Sequence, residues 1–212
     1  NAMGGIVIDS GRFPWFGNAK YPSLSEPCPD YNGLTFAETF GDMAFTLYSH
    51  AVSLRDLGCT QSPMNAWITL NGVETLPLRM ERHVENAQKV AGFLQQHPSV
   101  EWVSYAGLSS SPYYQLAQKY LQGKAGSVFT FGIRGGYESG LRLLEKVELF
   151  SHVSNIGDSR SLILHPASTT HRQLSDEQRL TAGAGPEVIR LSVGIESAED
   201  LISDLEQALE GL

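Results

Sequence analysis

The order of elements read along the chain predicts an α/β to α+β protein: mostly helical up to about residue 97, then short strands alternating with short helices. Three observations carry this. Apolar residues recur at helical spacing between Phe36 and Leu94. The texture changes after His97-Pro98. Beyond that point, 127–134 alternates, with Phe129, Phe131 and Ile133 sharing one face as they would in a strand. With 212 residues, 42% of them hydrophobic, the chain is long enough and apolar enough to build a core and is no disordered tail. The 21 Gly and 10 Pro exclude a coiled coil.

Residues 4–9 (GGIVID) are short, apolar and β-branched, and they predict a buried strand. Residues 10–32 come next, with Pro14, Pro22, Pro27 and Pro29 and little periodicity, which predicts a long ordered loop or a packing arm. Trp15, Phe16 and Tyr21 within it read as an anchored loop, with a stacking platform as the alternative. Thr35 and Glu38 fit a capping box that opens a helix through Leu54, ended by Gly58. Pro63 opens the next helix at the position where a missing N–H costs nothing. Leu76, Met80, Val84, Ala87, Ala91 and Leu94 mark a third, closed by His97-Pro98. Then come strand 100–105, helix 112–121, strand 127–134, helix 137–147, strands 149–154 and 161–165, helix 175–181, strand 188–193 and a last helix capped by Ser197.

Several function classes fall away. A net charge of −8 argues against a protein whose main task is neutralising nucleic-acid phosphates. No apolar run approaches the roughly 18 residues of a membrane span, and no signal peptide is visible. Cys28 and Cys59 form no C-x-x-C, and a reduced, cytoplasmic protein is expected. His165 and His171 lie six apart with no third ligand nearby, so no metal site is expected. His50 and His83 read as core-edge or surface histidines. G-x-S-x-G, G-x-G-x-x-G and Walker A patterns are absent. Asn1-Ala2 before Met3 reads as a cloning remnant.

Two segments remain. In EVIRLSVGIE (187–196), a strand turns Ile189, Leu191 and Val193 toward a core and sets Arg190 on the opposite face. A guanidinium on a rigid strand suits a carboxylate ligand, and it equally suits a salt bridge to an acidic neighbour. The stretch from Ser154-Asn155 to Thr170-His171 is rich in hydroxyl and amide groups on short turns. Such groups orient small polar ligands, and they also serve as plain turn chemistry.

These residues sit within motifs that resemble the PLP-dependent enzymes of Cys/Met metabolism, and within them the O-acetylhomoserine sulfhydrylase branch. The motifs are GGIVIDSGRFPW (4–15), GLTFAETFGDMAF (33–45), LRDLGCTQSPMNAW (54–67), NGVETLPLRMERHVENA (71–87), NIGDSRSLILHPASTTH (155–171) and IRLSVGIESAEDL (189–201). The resemblance implies the C-terminal part of a fold-type I PLP-dependent transferase, with helices packed on a small sheet. Residues 1–97 would be the end of the PLP-binding large domain and 98–212 the small C-terminal domain. It further implies that Arg190 binds the substrate α-carboxylate, with Asn155, Thr170 and His171 lining the same cavity. Asn155 stands where many relatives carry serine, a difference that fits the sulfhydrylase branch.

One departure matters. The family's Schiff-base lysine lies in an S-x-T-K motif that this sequence lacks; Lys20, Lys89, Lys119, Lys124 and Lys146 have no such context. Neither catalytic nor cofactor-binding residues are therefore expected here, and the chain is expected to be part of a longer enzyme, inactive alone and not holding PLP. That enzyme, a homo-oligomer by resemblance, would convert O-acetyl-L-homoserine and sulfide or a small thiol to homocysteine or methionine. A cystathionine γ-synthase or methionine γ-lyase-like reaction, or a non-catalytic oligomerisation module, are the alternatives.

Overall fold

Helices occupy the chain as far as Gln96, and the strands lie beyond it. The computed structural model describes residues 2–212 and divides into two units, one up to Glu74 and one from Thr75 to Leu212.

In the first unit, residues 4–9 are not the expected buried strand. They have no regular structure, and Ile6, Val7 and Ile8 are 85%, 78% and 83% exposed. A strand needs a ladder partner for its N–H and C=O groups, and none among the described residues pairs with this segment. The next loop is anchored by two of the three aromatics expected to do so: Trp15 stacks on Phe45 at 5.5 Å and meets Phe13 and Tyr21, while Phe16 is 69% exposed. Helix α1 (Pro22–Ser25) lies within it.

The single helix expected over 36–54 is interrupted. Helix α2 (Phe36–Phe40) stops at Gly41, whose φ of +55° leaves the helical region. A 3₁₀ turn (Gly41–Met43) leads into α3 (Ala44–Tyr48), which widens into a π-helical stretch (Ser49–Asp56). Thr35 is at the N-cap of α2, but its hydroxyl makes no capping bond, so the expected capping box is absent. Phe36 is buried here against Tyr31, Phe40 and Tyr48. Helix α4 (Pro63–Glu74) opens at Pro63 as expected and leaves Met64, Trp67, Leu70 and Val73, three apart, more than half exposed.

The second unit begins with α5 (Leu76–Gln96), whose buried face carries His83, Asn86, Ala87, Val90, Ala91 and Leu94. The sequence reading ends the helical part at His97; in the structure α5 belongs instead with the sheet, because this face packs into the sheet's core. His83 is fully buried, deeper than the core-edge position expected. After it come β1 (Val100–Ser104), α6 (Tyr114–Leu121), β2 (Val128–Ile133), α7 (Gly136–Lys146), β3 (Ser151–His152) and β4 (Leu162–Leu164), then α8 (Asp176–Thr181), β5 (Val188–Ser192) and α9 (Ala198–Leu209).

The described residues form one five-stranded mixed sheet in the order β1-β2-β5-β4-β3. All pairs are antiparallel except β3 with β4, which is parallel. Phe129, Phe131 and Ile133 alternate inward as predicted, with Ile163, Ile189 and Leu191, and are covered by Leu143, Leu201, Leu205 and Leu209. Each such buried side chain contributes about 1.5–3 kcal/mol of transfer free energy. On β2, Gly132 is required by Trp102, whose indole occupies the space a Cβ would take. Strands β3 and β4 are shorter than the sequence predicts, since the peptide groups beyond them bond to loops and side chains. Ser197 caps α9 by accepting from the Asp200 N–H. The structure's full capping box is at α8, between Ser175 and Gln178. No helix among the described residues is long and apolar enough to cross a membrane.

Candidate functional site

Arg190 sits at the middle of β5, opposite Thr130 of β2 on one side and Leu164 of β4 on the other. A central strand hydrogen-bonded on both edges fixes its backbone firmly. The face opposite Ile189 and Leu191 is less open than alternation suggests, because Val188 and Ser192 are buried too. Arg190 itself is half-buried.

The guanidinium is nearly uncommitted. One nitrogen (Nη2) lies 3.5 Å from the Ser154 hydroxyl and 3.4 Å from the Asn155 carbonyl oxygen, both long for hydrogen bonds. No acidic side chain among the described residues pairs with it, so the salt-bridge alternative is not realised here. By contrast, Arg55, Arg134, Arg160 and Arg179 each pair with a neighbouring carboxylate. A guanidinium has five N–H donors in a fixed fork. Most of those on Arg190 are left for a ligand, and neutral acceptors beside it do not compete with an anion.

Asn155 contributes through its backbone. Its carbonyl faces Arg190, while its side-chain Oδ1 accepts from the Ile156 N–H at 2.9 Å. The loop then turns at Gly157 (φ +76°), whose N–H donates to Ser192 Oγ. Asn155, expected at this site, is thus brought to Arg190 together with Ser154.

Thr170 and His171 form a separate pair: the Thr170 hydroxyl lies 2.9 Å from His171 Nδ1, and the His171 N–H donates to the Pro166 carbonyl. No hydrogen bond among the described residues joins this pair to Arg190 or to the Ser154–Asn155 segment. Beneath it, His165 is fully buried, with Nε2 donating to the Pro186 carbonyl at 2.9 Å and Nδ1 3.0 Å from Ser168 Oγ. Burial pushes the His165 pKa below the ordinary histidine value, outweighing the bond to Pro186. With both nitrogens engaged, the ring ties the turn at 165–168 to the Pro186 carbonyl.

Sequence reasoning missed the polar groups behind the site. His83 Nδ1 donates to the Val193 carbonyl at 2.6 Å. Asn86 donates to the carbonyls of Gly194 and Glu196, and Ser161 bonds the Glu196 carboxylate. The available signal was two polar residues, His83 and Asn86, on the apolar face of an amphipathic helix.

The residues present do not by themselves make a PLP site. Lys89 pairs with Glu85 and Glu199, Lys124 with Glu81; Lys146 donates to the Glu210 carbonyl, and Lys119 lies over the Tyr120 ring. None of the five lysines lies in the S-x-T-K context that a Schiff base in this family requires. No cluster of three or more His, Cys, Asp or Glu among the described residues could hold a metal ion. Cys28 and Cys59 are free thiols.

Comparison with known proteins agrees with the motifs. The family model for Cys/Met metabolism PLP-dependent enzymes matches residues 1–210. O-acetyl-L-homoserine sulfhydrylase from Leptospira meyeri is 50% identical over 220 residues, covering 100% of this chain and 50% of that protein. O-acetyl-L-homoserine sulfhydrylase 1 from Thermus thermophilus is 49% identical over 98% of the chain and 49% of its own length. Homocysteine synthase from Schizosaccharomyces pombe is 44% identical over a similar span. A crystal structure described as an O-acetylhomoserine (thiol)-lyase from Campylobacter jejuni, carrying a pyridoxyl-lysine, superposes with a TM-score of 0.82 at 42% identity. It covers 93% of this chain and 47% of that one. The chain thus spans about half the length of the curated relatives it matches. With a model match over nearly all its residues, this chain belongs to the PLP-dependent Cys/Met metabolism enzyme family.

Proposed function

We propose that this chain supplies the substrate-carboxylate clamp of a PLP-dependent enzyme that replaces the acetate of O-acetyl-L-homoserine with sulfide or a small thiol. The supporting observation is Arg190: a guanidinium on the central strand, without an acidic partner among the described residues, beside the neutral acceptors of Ser154 and Asn155. Relatives named for this reaction at about half identity point the same way. Arg190 grips the α-carboxylate through parallel N–H donors and orients the amino acid. The Asn155 loop flanks the guanidinium, and we assign the Thr170-His171 turn, which pairs apart from Arg190 in the structure, to the same substrate site. PLP, when bound elsewhere in the whole enzyme, supplies the electron sink; the first part of the chain belongs with its domain, and 98–212, with α5 packed on its sheet, forms the small one.

We also propose a cytoplasmic homo-oligomer. The exposed row of Met64, Trp67, Leu70 and Val73 on α4 is the kind of surface that another protein element covers.

The test is an assay of the full-length protein for homocysteine from O-acetyl-L-homoserine and sulfide. In Arg190→Ala, KM for the amino acid rises about 30-fold or more, as expected for a lost charge-assisted pair, with a smaller change in kcat. Unchanged substrate dependence rejects the clamp. The 212-residue chain alone, mixed with PLP, is expected to show no saturable Schiff-base absorbance.

A further inference from the structure

The loop that brings Asn155 to Arg190 has little structure of its own. Between His152 and Leu162 it is mostly exposed and carries no helix or strand. Something outside it must hold it in place. Apart from the Gly157 N–H bond to Ser192 Oγ on β5 and the long contacts of Arg190, the tertiary bonds that do so converge on the turn after β5, within the motif that also holds Arg190.

Glu196 is the centre of that turn. Its carboxylate takes both donors of Ser161: the backbone N–H at 2.7 Å and the hydroxyl at 2.9 Å. The Ser161 hydroxyl in turn accepts the buried Gly194 N–H at 2.8 Å. Beside this, the Ile195 N–H donates to the Ser159 carbonyl at 2.9 Å. Gly194 permits the approach, since a Cβ there would collide with the Ser159 carbonyl and the Glu196 carboxylate. The turn is itself held from behind by Asn86, which donates to the Gly194 and Glu196 carbonyls at 3.0 and 2.8 Å.

We infer that Glu196 is a positioning residue for the Arg190 clamp, acting as a latch that pins the returning end of the Asn155 loop through Ser161. The inference rests on the proposed carboxylate clamp for its consequence in turnover, but not for its structural content. The β5 backbone is fixed by its two neighbouring strands, so losing the latch moves the loop and leaves the arginine's own strand in place. The carbonyl of Asn155 and the hydroxyl of Ser154, the acceptors nearest Nη2 at 3.4 and 3.5 Å, then no longer stay beside the guanidinium.

Two measurements decide it. First, hydrogen–deuterium exchange of the 212-residue chain: in Glu196→Ala, residues 153–161 exchange at least about fivefold faster while β2 and β5 stay protected. Glu196→Gln keeps an acceptor for the Ser161 N–H and recovers most of the protection. Ser161→Ala, which keeps the backbone bond, lies between. Protection unchanged in Glu196→Ala overturns the latch. So does loss spread evenly through the sheet in both Glu196→Ala and Ser161→Ala, since that marks a general structural role.

Second, in the full-length enzyme, Glu196→Ala raises KM for O-acetyl-L-homoserine about tenfold with kcat within about threefold, and Glu196→Gln stays near wild type. In an Arg190→Ala background the same substitution adds less than about twofold, because the two residues act on one contact. Additive effects overturn the positioning role. If the wild type does not turn over O-acetyl-L-homoserine, the reaction assigned above fails, and the exchange measurement still decides the latch.

Discussion

The two units differ in how far they close their apolar side chains into a core. From Thr75 onward, Phe131, Ile133, Leu143, Ile163, Ile189, Leu191, Leu201 and Leu205 are 0% exposed, closed between the sheet and helices α5, α7 and α9. Up to Glu74, Met3, Ile6, Val7, Ile8, Met64, Trp67 and Leu70 are each more than 60% exposed. Both parts are built from family motifs of similar apolar content. What differs is whether the chain supplies a second layer for each apolar face. A helix or strand with one apolar face is stable only against another element. The second unit provides that element, whereas α4 and residues 4–9 leave much of theirs uncovered. Arg190, the proposed clamp, is in the part that closes its own core, where strands paired on both edges of β5 fix its backbone.

The contrast can be broken or sharpened by substitution. The largest effect is expected at Phe131→Ala, which opens a cavity in the closed core and costs about 3–5 kcal/mol by denaturant unfolding of the 212-residue chain. A cost below about 1 kcal/mol would show that the core is not continuous. Next is Asp204 of α9, whose buried carboxylate accepts the N–H groups of Glu148, Leu149 and Phe150. Burial raises its pKa, but these bonds, with Gln207, prevail and hold it below the usual carboxylate range. Asp204→Ala leaves those donors unpaired and costs about 2–3 kcal/mol at neutral pH.

The same groups set the response to acid. Asp204 has a depressed folded pKa, so its contribution is full above the unfolded value of about 3.9 and is lost as pH falls through the folded one. His165 also has a depressed folded pKa, so the unfolded chain takes up its proton first, and stability declines as pH falls below about 6.5. A pH series of unfolding midpoints should therefore show a first decline near the histidine range that is absent in His165→Gln, and a second in the carboxylate range that is absent in Asp204→Asn.

Smaller effects separate the two parts at their helix caps. Ser175→Ala removes a formed capping box and costs about 1 kcal/mol. Thr35→Ala, at an N-cap whose hydroxyl bonds nothing on α2, costs no more than a few tenths. Trp67→Ser on the exposed row of α4 changes the stability of the isolated chain by less than about 0.5 kcal/mol. A larger loss at Trp67 would mean that α4 is covered in solution.

Much of the second unit was legible in the sequence because its signals are local. The spacing of Ala87, Ala91 and Leu94 marks α5, the alternation of Phe129, Phe131 and Ile133 marks β2, and Ser175 and Ser197 mark helix starts. The break at Gly41 and the idle hydroxyl of Thr35 were not legible, because a helix pattern with a fitting cap residue does not say which backbone angles the neighbours impose. Of the expected site residues, Arg190 and Asn155 lie beside each other, while Thr170 and His171 pair with each other.

By itself, then, the sequence determined the family, the identity of Arg190 as a strand-borne guanidinium, and the absence of the lysine motif that a PLP Schiff base requires. All three are properties of residue order. Only the tertiary structure decided that residues 4–9 stand unpaired, that His83 and Asn86 face inward, that Arg190 meets no carboxylate among the described residues, and that Glu196 grips Ser161. Each of these depends on groups more than thirty positions apart, or on a pairing partner that is present or absent. Periodicity reports which face a side chain takes, and only folding determines what lies across from it.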